Sequence, residues 1–392
     1  MPWVYTRYAT DMGKVRLLPY VRGSKPGTVG KITQTMFDAV LGRYANKAYL
    51  PSDSMATSVQ DATIVQWIDE EFGIELSDRE ISERMSVVQL LVFCAVSNRT
   101  YDALGRYCNS DGVTVFGQKF DAQRPLAMSY VTRRRDGGTN HMVSDDHVRP
   151  LFLRPSHVAE PLIVEFDLPL FIALQKVSDD GLKALLYDAV SLFNRANTDV
   201  SEMPDGAELV LLRAAYETLL KSGHNKEELK QKFIDHFSEG LVSASWDAGS
   251  FTKANWENRW SCTAVVQTPL QMWIDDFCAA RNASAHGTTS ARKYDPPIWS
   301  IHNHLMFASW LFPFMLKKIL EVADVYQLSE DERESRAHLE HFFAYDISER
   351  DENRRLHWHL PFEKIADASL ARTIEKACSQ LKIGPLNLQG QT

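Results

Sequence analysis

Cysteine is scarce and scattered. Cys94, Cys108, Cys262, Cys278 and Cys378 are the five in 392 residues, and none falls in a CxxC spacing. That argues against a zinc ribbon and a disulfide framework and fits a reducing, cytoplasmic compartment. Positive charge is also in deficit: 43 Lys and Arg against 51 Asp and Glu leave a net charge of −8. Indiscriminate binding to nucleic acid over the whole surface is thereby disfavoured, so a polyanion partner has to be met at a local patch. Long apolar runs are missing too. The most hydrophobic stretch, "LMFASWLFPFML" from Leu305 to Leu316, carries Pro313 and is far short of the roughly 18 to 20 residues that a membrane span needs. It reads as a buried helix, and no membrane association is expected. The opening "MPWVYTRYATDMGK" has no basic flank leading into a sustained apolar core, so it does not read as a signal peptide. Neither internal repeats nor low-complexity tracts occur. "GSKPGTVGKIT" fails as a phosphate loop, because Lys25 stands where glycine is required and Ile32 where a hydroxyl is required. ATP hydrolysis has no support, and no cofactor or metal is implied.

What is present is ample core-forming material. A 44% hydrophobic content in a chain of this length suits about two to three domains. Residues 1–165 mix two periodicities. Ser77 and Glu80 form a capping box ahead of "REISERMSVVQLLVFCAV", which predicts a helix. "VTVF", "LAMSYV" and "LIVEF" predict strands, and "RRRDGG" a loop with a turn. This part is expected to be α+β, with a sensing or substrate-recognition role. Residues 166–325 turn helical. "SDDGLKALLYDAVSLFNRAN" opens on a Ser178 cap and sets Leu182, Leu185, Leu186, Ala189, Phe193 and Ala196 on one face. "GAELVLLRAAYETLLKSG" follows with Leu209, Leu212, Tyr216 and Leu219 in register and Gly223 as its stop; Asn225 and Glu228 begin a third helix. "PLQMWIDDFCAARN" gives a fourth, and "WSIHNHLMFASWLFPFMLKKILEVA" a fifth that Pro313 would bend. Together they predict an all-α helical bundle and a chain that is mainly α. Residues 326–392 are charge-heavy and partly helical, with a second capping box at Ser329 and Glu332 and a short helix at "DASLARTIEKACSQL".

In the fourth helix Leu270, Ile274 and Phe277 are spaced i, i+4, i+7, and four residues further the same row reaches Arg281. A guanidinium on an apolar face needs a carboxylate, a phosphate or a wet cleft. His286 follows five residues on, where the helix should end. From Arg281 to Tyr294 there are three cations, Arg281, Arg292 and Lys293, and no acid, which makes a local anion-attracting surface in an acidic chain. The plain alternative is that Arg and His near a helix C-terminus simply answer to its dipole.

Three blocks, "YDAVSLFNRAN", "LLRAAYETLL" and "RNASAHG", in that order, resemble the HEPN superfamily, most closely its ApeA-like branch among bacterial phage-defence proteins. The last matches the family's R-x4-6-H motif, with Asn282 as the polar residue after the arginine. The resemblance spans about residues 178–325. It implies a metal-independent endoribonuclease on a homodimeric helical bundle, with the motifs of two subunits meeting at one cleft. In that reading His286 would move a proton to or from the RNA, Arg281 would grip the scissile phosphate, and Asn282 would orient the phosphate or the histidine. Glu217 is a candidate partner for Arg281, or else a solvated carboxylate. His302 is a candidate polar residue lining the same cleft. Family variants without the histidine are binding modules, so a non-catalytic RNA-binding or protein-interaction module is the alternative. A phage-derived trigger would fit a defence role. Nucleotidyltransferase pairing would need a separate protein, since no G-S-x(n)-D-x-D segment is present.

Arg133, Arg134 and Arg135 are either a solvated loop or an electrostatic hand for RNA. "HNH" at 302–304 is three adjacent residues and cannot reproduce a dispersed ββα-metal nuclease motif. "LHWH" at 356–359 lacks a specific acidic or cysteine partner for a metal.

Overall fold

The structure is a computed structural model that describes residues 1–24, 34–46, 57–68, 77–99, 107–117, 128–134, 137–143, 152–154, 164–223, 225–237, 269–286, 299–343 and 370–378. The protein is mainly helical, with small sheets, and divides into two compact units, Met1–Met203 and Pro204–Thr392. Among the described residues no helix is long and apolar enough to cross a membrane.

The first unit has the mixed α and β character expected of the N-terminal part. β1 (Thr10–Met12), β2 (Val15–Val21) and β5 (Asp61–Trp67) form an antiparallel sheet in the order β1-β2-β5. Gly13 makes the tight turn between the first two strands at φ +63, a conformation that favours glycine. β3 (Tyr44–Asn46) pairs antiparallel with β4 (Thr57–Ser58) and parallel with β8 (Phe152–Leu153). α1 (Gln34–Leu41) contributes Phe37 and Leu41 to a core with Trp3, Tyr20, Tyr44, Val59 and Ala62. β6 (Met128–Arg134) and β7 (Gly137–Val143) make a hairpin in which Arg134 pairs with Gly137.

The helices of this unit show why the expected boundary at 165/166 differs from the observed one. α2 (Asp78–Ser97) starts on the anticipated Ser77 and Glu80 capping box. α3 (Leu168–Lys176) and α4 (Asp180–Ala196) both pack on it. Phe93 of α2 meets Phe193 of α4 edge to face at 5.3 Å, and Asn194 Nδ2 donates to the Gln89 carbonyl at 2.9 Å. Most of the apolar stripe read on α4 is therefore buried inside the first unit, with Leu186, Ala189, Phe193 and Ala196 covered and Leu182 and Leu185 half-buried. The α4 cap is Asp179, which accepts from Leu182 N at 2.6 Å, and not Ser178. "VTVF" is irregular, as are the described residues of "LIVEF". Val113 is nevertheless fully buried: β-branched residues there serve the core without a strand partner.

The second unit is a helical bundle. α5 (Asp205–Leu220), α6 (Lys226–Phe237), α7 (Pro269–His286) and α8 (Ile301–Val322) pack through Tyr216, Phe233, Trp273, Phe277 and Phe312, all wholly buried. Trp273 stacks on Phe277 at 5.1 Å, and Tyr216 meets Phe312 at 5.2 Å and gives its hydroxyl to the Ala308 carbonyl at 2.7 Å. Truncating an aromatic in such a core costs about 3–5 kcal/mol. α5 ends on Lys221, a non-glycine at φ 51, two residues before the anticipated stop at Gly223. α8 runs through Pro313 without interruption. α9 (Glu330–Ala337) carries the expected Ser329 and Glu332 capping box, α10 (Leu339–Phe343) packs on α7, and residues 370–378 are helical. Arg372 from that last stretch bonds Asp331 and Glu334, each at 2.7 Å.

Candidate functional site

α7 carries the site, and its neighbours in the second unit decide what its side chains face. It runs antiparallel to α5: Gly206 of α5 lies against Ser284, and Tyr216 against Phe277 at 6.2 Å. A Cβ at Gly206 would come within 3.2 Å of the Ser284 Cβ, so the absent side chain is what lets the start of α5 close on the last turns of α7. Leu270, Ile274 and Phe277 are buried as their spacing requires, and Arg281 ends the row half-buried.

Arg281 Nη1 donates to Asn282 Oδ1 at 3.1 Å, while its Nε is buried without a hydrogen-bond partner. No ion pair engages it among the described residues. Asn282 thus acts on the arginine, a role different from the expected orientation of a phosphate or the histidine. His286 is the last residue of the helix and is exposed. Five residues along an α-helix separate two positions by about 140° in azimuth and about 7.5 Å in rise. Arg281 therefore sits towards the bundle seam and His286 on a different side of the same helix end.

Two site expectations are corrected. Glu217 is not the partner of Arg281: it is buried and accepts from Arg213 Nε at 2.9 Å, an i,i+4 pair that is enclosed at both ends. Arg213 is 2% exposed, so releasing Glu217 to another cation would strand a buried charge. Nor is it solvated. His302, in the first turn of α8, is exposed. Its neighbour His304, two residues on, is the buried histidine, with 0% exposure. Arg133 and Arg134 belong to strand β6 and not to a loop. Arg135, Arg292, Lys293, His357 and His359 lie outside the described residues.

Sequence reasoning missed the acids of α7. Asp275 bridges Lys226 at 3.0 Å and Lys230 at 2.6 Å, tying α6 to α7. Burial opposes ionisation of Asp275, but hydrogen bonds from Lys230 and Lys226 outweigh it and hold the carboxyl below its ordinary range. Asp276 accepts the Trp299 backbone N–H at 3.2 Å, and its Oδ2 lies 3.3 Å from His304 Nε2. That last contact is an electrostatic one, since the ring nitrogen is not aligned for a hydrogen bond. The signal in the sequence was "IDDF", two adjacent acids inside an apolar stretch. Cys278 lies beside Arg213, and burial pushes its thiol up to about 11, so it is an inert core thiol at neutral pH. Among the described residues no group of three or more His, Cys, Asp and Glu side chains is placed to hold a metal ion.

Chemically, then, the end of α7 offers one oriented cation without a counter-ion among the described residues and one exposed imidazole. Comparison with known protein families, with characterised proteins and with solved structures finds no match for this chain.

Proposed function

We propose that the chain is a metal-independent endoribonuclease of the HEPN type, acting in anti-phage defence or growth arrest, with Arg281 and His286 as its working pair. The observation that carries the reading is the state of Arg281. It is half-buried, turned by Asn282 and without an acid among the described residues, whereas the buried Arg213 of the same bundle has its own carboxylate. A guanidinium kept in that condition suits a ligand that brings its own negative charge, such as a phosphodiester. His286, exposed at the helix end, is free to take a proton from a 2′-hydroxyl or deliver one to the leaving 5′-oxygen. Attack by the 2′-hydroxyl leaves a 2′,3′-cyclic phosphate and a 5′-hydroxyl. A homodimer would bring two such helix ends to one RNA, and the first unit would sense a phage-derived trigger.

Purified full-length chain incubated with total RNA in EDTA tests this. The expected outcome is cleavage that depends on pH and leaves cyclic phosphate ends. Activity that needs magnesium, or products with a 3′-hydroxyl, would refute it. The angular separation of Arg281 and His286 on one helix favours a second reading, a non-catalytic RNA-binding or protein-interaction module. Its signature is binding without cleavage in the same assay.

A further inference from the structure

His304 sits at the first turn of α8, and its ring is enclosed by Trp273 at 6.2 Å, Phe277 at 6.0 Å and Trp299 at 6.3 Å between ring centroids. Neither of its nitrogens makes a hydrogen bond to a described residue, and the same is true of Trp273 Nε1, Trp299 Nε1 and the adjacent Asn303 Oδ1. All four residues are at most 2% exposed. Buried polar groups in native interiors are nearly all paired, so five such atoms on neighbouring residues call for a partner. Their chemistry says which kind. The two indoles only donate, the amide oxygen only accepts, and a neutral imidazole does one of each. An anion would face the Asp276 carboxylate, which lies 3.3 Å from His304; a cation would face the donor-only indoles. A small neutral molecule that both donates and accepts satisfies the set.

We infer that His304, Asn303 and the indoles of Trp273 and Trp299 form an internal hydration site, holding one or more long-lived water molecules between α7 and α8 beside Asp276. A buried water makes about three hydrogen bonds, which matches the supply of donors and acceptors here. The site joins the middle of α7 to the start of α8, where Asp276 already holds the Trp299 N–H. It stands independently of what Arg281 and His286 do.

The test uses the full chain, deuterated and labelled with 15N at tryptophan, in water-selected NOE and ROE spectra; the two indole signals are identified by their loss in Trp273→Phe and Trp299→Phe. Bound water gives these indole protons cross-peaks of opposite sign in the two spectra. The peaks should survive in His304→Gln, which keeps a donor and an acceptor, and disappear in the folded double variant His304→Phe, Asn303→Leu. Indole protons without water cross-peaks in the unaltered chain would overturn the proposal, as would peaks of the same sign in both spectra, which report exchange with bulk water. If the double variant does not fold, electron density decides. Peaks within about 3 Å of an indole nitrogen and a His304 nitrogen support the site, and direct protein pairing of these atoms overturns it.

Discussion

Arg281 and Arg213 are two guanidiniums in one helical bundle with opposite treatment: Arg213 is neutralised by Glu217, and among the described residues Arg281 meets the neutral Asn282. If the difference reflects phosphate binding, Arg281→Ala and His286→Ala should each lower RNA cleavage by about two or more orders of magnitude with the circular dichroism spectrum unchanged. Asn282→Ala should lose about tenfold, the order of one hydrogen bond to a charged group, and chiefly in kcat. Wild-type rates in all three would reduce the motif to a helix end whose Arg and His answer to the dipole. Asp275 gives a prediction that does not depend on function. Its folded pKa is depressed, so the stability it contributes is present above the ordinary carboxylate pKa and is lost as pH falls through the lower folded value. In urea melts, the advantage of the native chain over Asp275→Asn should therefore be constant near neutrality and shrink below about pH 4. A gap that widens on acidification would reverse the sign. Arg281 was legible in the sequence because a row spaced i, i+4, i+7 continues into it. Arg213 and Glu217 stand four residues apart on one helix, a spacing that suits an ion pair, yet the sequence reading gives the carboxylate to Arg281 or to solvent. His304 and Asp276 were not, because 28 residues separate them and only tertiary packing decides that they meet.

Helices with caps and a clear apolar period were readable at element scale, since both signals are local: α2 and α9 begin on their Ser and Glu boxes, the rows of α5 and α7 are buried as their spacing demands, and the row of α4 is buried except at Leu182 and Leu185 near its start, which are half-buried. Strands were less so, because a short β-branched run says nothing about a distant pairing partner. "VTVF" is buried in part yet irregular, while "RRR" gives two of its arginines to β6. The close approach of α5 and α7 at Gly206 was also invisible, since a glycine in the first turn of a helix has many explanations. Here the reason is steric, and it can be measured. Gly206→Val should destabilise the protein by about 1–3 kcal/mol through overpacking against Ser284. Ser284→Gly in the same chain should recover part of that loss, giving a non-zero coupling in a double-mutant cycle. Additive effects would mean that the helices do not touch there.

On the scale of the whole molecule, hydrophobic patterning located the start of the helical region but could not tell which neighbour its first helices pack against. α3 and α4 bury Leu170, Phe171, Leu174, Val190 and Phe193 inside the first unit. A fragment beginning at Phe166 should therefore expose an apolar face and aggregate, whereas one beginning at Pro204 should unfold cooperatively; light scattering and thermal melts would separate them. The division also bears on the proposed dimer, because the arginine and histidine both lie in the second unit. On one helix they are about 140° apart, so a cleft that uses both is more readily built with Arg281 from one chain and His286 from the other. Equal mixing of Arg281→Ala and His286→Ala chains tests that division of labour. Random association makes half the dimers mixed, and the shared cleft of each mixed dimer keeps one of its two Arg281–His286 pairs intact, so about a quarter of native cleavage should return. If each pair came from a single chain, every pair in every dimer would lack one of its groups, and no activity would return although native mass spectrometry showed mixed dimers. Failure to find any dimer by that measurement would remove the shared cleft itself.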